Sequence, residues 1–155
     1  MDQPIRKELD GETVISIRHQ GSYDEIGDVY RELYKWAGDH GAKTKGDGLT
    51  IFLGSPTEFD WKSALYEVCI PVEDAPEGDS RVTVKELPSC AVASVLVKGP
   101  YSDMPARYAE MLAWLSAEGL EVTGPPREAY IVRPGTQGGD NADELVTEIQ
   151  FPVGN

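Results

Sequence analysis

Two glutamates stand inside segments that otherwise read as apolar strands. Glu67 lies in Leu65-Tyr66-Glu67-Val68-Cys69-Ile70, and Glu148 lies in Leu145-Val146-Thr147-Glu148-Ile149-Gln150-Phe151. A carboxylate taken out of water is costly, so it pairs with a partner or takes up a proton. Strand alternation puts Glu67 on the face of Leu65 and Cys69, and Glu148 on the face of Val146 and Gln150. Two readings stay open for these faces. Either they are solvated and the glutamates decorate them, or they line a shared central cleft; repetition at two corresponding positions favours the cleft. Aromatic side chains are available to wall such a cleft: Phe52 and Tyr130 on strands, Tyr23 and Tyr101 at helix entries, and Phe59 and Trp61 in the hairpin-like connection 57–62. Trp36, Trp114, Tyr30 and Tyr108 fall on helical stripes and are assigned to the core, because a helix must bury its apolar stripe.

Other chemistries lack their residues. The sequence contains no Gly-x-Gly-x-x-Gly, no phosphate-binding Gly-x-x-x-x-Gly-Lys-Ser/Thr and no Gly-x-Ser-x-Gly. The two cysteines, Cys69 and Cys90, sit in apolar runs and read as small buried hydrophobes. His19 and His40 lie far apart, so no metal site and no cofactor are expected. The 155 residues carry a net charge of −13. That acidity argues against direct nucleic-acid binding, which needs Lys and Arg to displace counterions, and against an anionic membrane surface. It suits a cationic partner. The N-terminus has no basic, then apolar, leader pattern, and no apolar run approaches the length of a membrane span; a cytoplasmic protein is expected. The oligomeric state is not fixed by any of these residues.

The elements that would position the glutamates occur twice. His19-Gln-Gly21-Ser-Tyr23 matches Val97-Lys-Gly99-Pro-Tyr101 at an offset of 78, and the same offset aligns Lys7 with Lys85, Tyr30 with Tyr108, Trp36 with Trp114 and Gly41 with Gly119. Beyond Pro56/Pro134 the offset becomes 81, aligning Glu67 with Glu148 and Pro71 with Pro152; the inserted residues fall in 135–141, a loop by composition. The chain therefore reads as one domain made of two repeats, about 1–76 and 77–155, packed about a pseudo-two-fold axis. Each repeat has a leading strand (5–9, 81–87), a second strand (13–18, 90–97), an amphipathic helix and two further strands (49–53 and 64–72; 129–132 and 145–153). Ser22 suits the helix N-cap, with Asp24 and Glu25 in the first turn. Gly41 suits the position just past the helix end. The expected fold class is α+β: antiparallel sheets with two helices on one side and a central cleft.

These residues carry a family resemblance over nearly the whole chain. The tandem unit, the paired Gly-Ser-Tyr and Gly-Pro-Tyr helix entries, the helical tryptophans, Gly124-Pro-Pro-Arg-Glu-Ala-Tyr130 and Thr147-Glu148-Ile-Gln-Phe-Pro152-Val resemble the GyrI-like small-molecule-binding family, the effector-binding domains of multidrug-sensing regulators. The resemblance implies a cleft with aromatic walls and a buried glutamate at its base, matched here by Glu148. It further implies Glu67, Tyr130, Phe52, Tyr101, Tyr23 and Trp61 as ligand-binding candidates. Lipophilic aromatic molecules, cationic ones above all, are then the expected partners. The chain starts close to its first strand, with no helix-turn-helix segment before it, so a stand-alone binder is expected. Two alternatives accompany this reading. One is a hydrolase of electrophilic, cyclopropane-bearing xenobiotics in the same cleft, with Glu148 as its acid–base group. The other is a protein-binding, gyrase-inhibitor-like protein.

Overall fold

The structure is a computed structural model that describes residues 3–53, 61–132 and 144–154. Phe59, the Pro56/Pro134 match and the loop 135–141 lie outside the described residues. Among the described residues there are nine strands and two α-helices, and the chain divides into two compact units, residues 10–89 and residues 1–9 with 90–155.

In the unit 10–89, β2 (Glu12–Gly21) leads through a 3-10 turn at Tyr23–Glu25 into α1 (Ile26–His40). The amide of Ser22 donates to Glu25 Oε2 at 2.6 Å, which closes the helix entry as the acidic first turn anticipates. Ile26, Val29, Tyr30, Leu33 and Ala37 form the buried stripe, and α1 packs on β2 and β5. Trp36 is half-buried at the stripe's margin. Gly41 ends the helix at φ +74°, where a Cβ would be strained, and the Ala42 amide reaches back to the Ala37 carbonyl at 2.9 Å. Then come β3 (Lys43–Thr44), β4 (Leu49–Phe52), β5 (Ala64–Asp74) and β6 (Thr83–Leu87). The antiparallel order is β6-β2-β5-β4, with β3 on the end of β5.

The other unit contains β1 (Ile5–Leu9), β7 (Cys90–Lys98), α2 (Met104–Ala117), β8 (Arg127–Val132) and β9 (Val146–Pro152). Its antiparallel order is β1-β7-β9-β8. Met104, Met111 and Leu115 are buried on α2, Pro105 occupies its first turn, and Tyr108 and Trp114 are half-buried. The registers of the two units correspond. Ile5 opposes Ser94 as Thr83 opposes Ser16, and the bridge Val122–Val153 stands where Thr44 meets Val72.

The leading strands are exchanged. β1 directly precedes β2 in the chain but pairs with β7, and β6 directly precedes β7 but pairs with β2. The sequence repeats 1–76 and 77–155 therefore run across the compact units. Each unit draws its edge strand from the other repeat.

Candidate functional site

β8 starts at Arg127, two residues before the strand expected at Ala129, just after Pro125 and Pro126. The earlier start brings Glu128 into the strand, two residues from Tyr130 and on the same face. Glu128 is 0% exposed. Its Oε2 accepts from the Tyr108 hydroxyl at 2.9 Å, and its Oε1 accepts from the Tyr130 hydroxyl at 3.1 Å. Tyr108 comes from α2, so helix and strand meet at one carboxylate. Burial pushes the Tyr108 hydroxyl well above its ordinary pKa; the nearby Glu128 charge, the hydrogen bond to it and Tyr130 push the same way. Tyr108 is thus held as a neutral donor to the Glu128 carboxyl. Around them, Tyr101 meets Tyr130 edge-on with ring centres 6.1 Å apart, and Phe151 meets Tyr108 edge-on at 5.9 Å. Thr147 lies directly opposite Tyr130 and is fully buried. Its Oγ1 has no hydrogen-bond partner among the described residues.

Glu148 is adjacent to Thr147, so it points to the opposite face of the sheet from Tyr130 and Glu128. It is buried, and its Oε2 lies 2.6 Å from Lys7 Nζ on β1. Gln150 donates to the other oxygen. Glu67 repeats the arrangement in the other unit. It is buried, with Oε2 at 2.6 Å from Lys85 Nζ on β6 and Oε1 at 3.8 Å from Arg18. In each case the lysine stands on the exchanged edge strand, and a buried serine, Ser94 or Ser16, occupies the intervening strand on the same face. A serine there leaves room for the lysine side chain to cross.

The remaining aromatic candidates gather in the unit 10–89. Tyr23 stacks on Phe52 at 6.1 Å and meets Trp61 edge-on at 4.7 Å, while its amide donates to the Trp61 carbonyl at 2.8 Å. Tyr66, fully buried, packs against Phe52 and against His19, and its hydroxyl donates to the Ser22 carbonyl at 3.1 Å. Burial, then the charges of Glu25 and Asp28, raise the Tyr66 hydroxyl to about 12. The Ser22 amide, followed by His19, holds the Glu25 carboxyl below its ordinary value. Here Thr50 and Phe52 stand where Glu128 and Tyr130 stand in the other unit, so this cluster carries no counterpart of the buried carboxylate.

The expected site residues therefore separate. Tyr23, Phe52 and Trp61 come together in one unit, and Tyr101 and Tyr130 come together in the other. Glu67 and Glu148 sit on the faces turned away from those rings. Glu128, Tyr108, Thr147, Lys7 and Lys85 were not singled out from sequence. The available signal was the i, i+2 spacing of Glu128 and Tyr130, a pair absent from the first repeat. No group of three or more metal-ligating side chains occurs among the described residues, and no described helix is long and apolar enough to cross a membrane.

The family model described as GyrI-like small molecule binding domain matches residues 2–154. The C-terminal domain of EcmrR is similar in structure, with 25% identity and a TM-score of 0.83, over 99% of this chain and 98% of that one. EcmrR in a complex with DNA gives 24% identity and a TM-score of 0.88 over 97% of this chain. This chain spans only 57% of that EcmrR chain. SAV2435, whose structure holds tetraphenylphosphonium, shares the fold at 14% identity and a TM-score of 0.67, over 99% of this chain and 95% of that one. No curated protein sequence matches the chain.

Proposed function

The chain belongs to the GyrI-like small molecule binding domain family, and on that premise we propose that it binds lipophilic aromatic cations at the cluster of Tyr101, Tyr108, Glu128, Tyr130 and Phe151. The observation that carries this reading is a buried glutamate, Glu128, hydrogen-bonded inside a cluster of aromatic rings. Glu67 and Glu148 each already hold a lysine ammonium at 2.6 Å, so a ligand cation would have to displace it. Glu128 accepts from the hydroxyls of Tyr108 and Tyr130, within the aromatic cluster itself. A negative charge kept in an apolar, aromatic surround is a strong attractor for a delocalised cation, and the ring faces add cation–π attraction of about 0.5–2 kcal/mol each. Few directional contacts are made, so one site accepts many shapes. The tetraphenylphosphonium bound to SAV2435 belongs to this ligand class.

The test is a calorimetric titration of the protein with tetraphenylphosphonium and with neutral triphenylphosphine oxide. Glu128→Gln should weaken the cation by about tenfold or more and leave the neutral compound nearly unchanged. Equal cation affinity in the wild type and in Glu128→Gln would remove Glu128 from the site. A loss seen only in Glu148→Gln would return the role to Glu148.

A hydrolase would draw on the same side chains, because Tyr108 and Tyr130 can pass a proton to or from Glu128 across their hydrogen bonds. Multiple turnover of an electrophilic aromatic compound separates that reading from stoichiometric binding.

A further inference from the structure

β1 forms the edge of its sheet. Among the described residues it pairs with β7 on one side and with no strand on the other. An open strand edge is a template for another strand, and charged side chains along it usually block association. The charges of β1 are ordered. About Lys7, the strand Ile5-Arg6-Lys7-Glu8-Leu9 has an apolar residue at each end and opposite charges at the two positions between. Ile5 is also the most exposed large hydrophobic side chain among the described residues, at 55%.

Two such strands set antiparallel with full overlap place position 5 opposite position 9 of the second copy, and position 6 opposite position 8. Ile5 then meets Leu9 and Arg6 meets Glu8, each twice by symmetry. Directly opposed apolar pairs and opposite charges stabilise antiparallel strands. The two lysines meet at the centre, but each Lys7 is already held by its own Glu148 at 2.6 Å. Arg6 keeps its contacts within the chain, among them the bond from Nη2 to the Gly154 carbonyl at 3.1 Å; a guanidinium carries five N–H donors, so that bond and one to a carboxylate are compatible. Glu8 is exposed. β6, the edge strand of the other unit, repeats the Lys-Glu-Leu of β1 and fails the same comparison. In Thr83-Val84-Lys85-Glu86-Leu87, full overlap sets Val84 against Glu86 and Thr83 against Leu87. Self-complementarity therefore belongs to β1 and not to the repeated motif.

We propose that β1 is an interface for a second copy of this chain: two copies pair edge to edge along Ile5–Leu9, antiparallel about a two-fold axis at Lys7. The pairing covers Ile5 and joins the β1 edges of two sheets. A single strand pair is smaller than a stable interface, so the dimer is weak and forms with rising concentration. It does not depend on the cation-binding reading above.

The experiment is sedimentation velocity of the intact chain from micromolar to millimolar concentration. A net charge of −13 makes copies repel, so it is run at physiological ionic strength, which screens long-range repulsion. The wild type should shift from monomer towards dimer as concentration rises. Arg6→Glu opposes acid to acid at both outer pairs, and Glu8→Arg opposes base to base; each should weaken the dimer about tenfold or more. The double variant Arg6→Glu/Glu8→Arg restores opposite charges and should dimerise within about threefold of the wild type. The two single variants, mixed, should form a heterodimer although neither pairs with itself. Glu86→Arg, the same reversal on β6, should leave the dimer unchanged. Thermal unfolding of each variant shows that the fold is kept, and the double variant and the mixture separate a lost contact from a damaged chain. A wild type that stays monomeric throughout, or a dimer that both single variants leave intact, would overturn the proposal. A loss seen in Glu86→Arg but not in Glu8→Arg would overturn it too, by moving the interface to β6.

Discussion

Among the described residues three glutamates are buried, and their partners bear on what each does. Glu148 and Glu67 are cross-strand anchors, each clamped by a lysine from an exchanged edge strand. Removing one partner of such a pair leaves a desolvated charge, which costs about 3–5 kcal/mol when both groups are fully buried. The Lys7 side chain is 37% exposed, so solvent screening reduces the expected cost of Lys7→Met to about 1–3 kcal/mol. Urea unfolding of Lys7→Met, Glu148→Gln and the double variant should show the double variant less destabilised than the sum of the singles. Strict additivity would mean that the pair contributes nothing. Strand alternation made Glu67 and Glu148 visible in the sequence, since a charge inside an apolar run stands out. Their lysine partners were not visible, because Lys7 and Lys85 lie in short charged segments that resemble any solvated strand. Glu128 escaped for the converse reason. It follows two prolines and an arginine, so its surroundings read as a turn, and only the strand's earlier start puts it on the face of Tyr130.

The helices obey local rules closely enough for their ends to be tested separately from their packing. Gly41 and Gly119 both adopt positive φ, +74° and +68°, and an added Cβ at either would meet nothing within 4 Å. The penalty of alanine at these positions is therefore backbone strain alone, about 1–2 kcal/mol for each of Gly41→Ala and Gly119→Ala. Gly38 lies inside α1, has ordinary φ and is equally open. Gly38→Ala should stabilise by about 0.5–1 kcal/mol, because glycine there only adds unfolded-state freedom. Thermal unfolding of the three variants should give opposite signs for Gly38 and the two helix-end glycines; a uniform loss would mean that tertiary crowding, not backbone conformation, governs all three. Caps and apolar stripes carry this information in a few neighbouring residues, which is why α1 and α2 were legible. The 43–44 strand and the Val122–Val153 bridge are too short to show a period. Trp36 marks the limit of the stripe argument. Its ring stacks on His40 at 4.2 Å and its indole N–H donates to Asp79 at 2.9 Å, so it ties α1 to the approach to β6 and is not sunk in the core. The indole bond, with the Val82 and Arg81 amides, holds the Asp79 carboxyl below its ordinary value.

Strand pairing over the whole chain is where the sequence was least informative. Asp10 and Gly11 between β1 and β2 have the composition of a tight hairpin, yet β1 and β2 are not partners. Gly11 instead lies so close to the Leu87 carbonyl, 2.9 Å from where a Cβ would stand, that the turn is specified by its neighbours in the fold and not by the hairpin rule. The exchange has a consequence for how the chain can be divided. Residues 1–76 hold β2 and β5 but lack β6, while residues 77–155 hold β7 and β9 but lack β1. Neither repeat contains a complete unit, and each lacks the lysine that neutralises its own buried glutamate. Expressed separately, the halves should leave open to hydrogen exchange those amides of β2 that face β6 and those of β7 that face β1. Mixed, they should form a one-to-one complex in which β1 covers β7, β6 covers β2, and protection returns on both strands. If 77–155 alone protects β7 as strongly as the intact chain does, β6 has folded back into the place of β1, and the exchanged edge strands are not required for either unit to close.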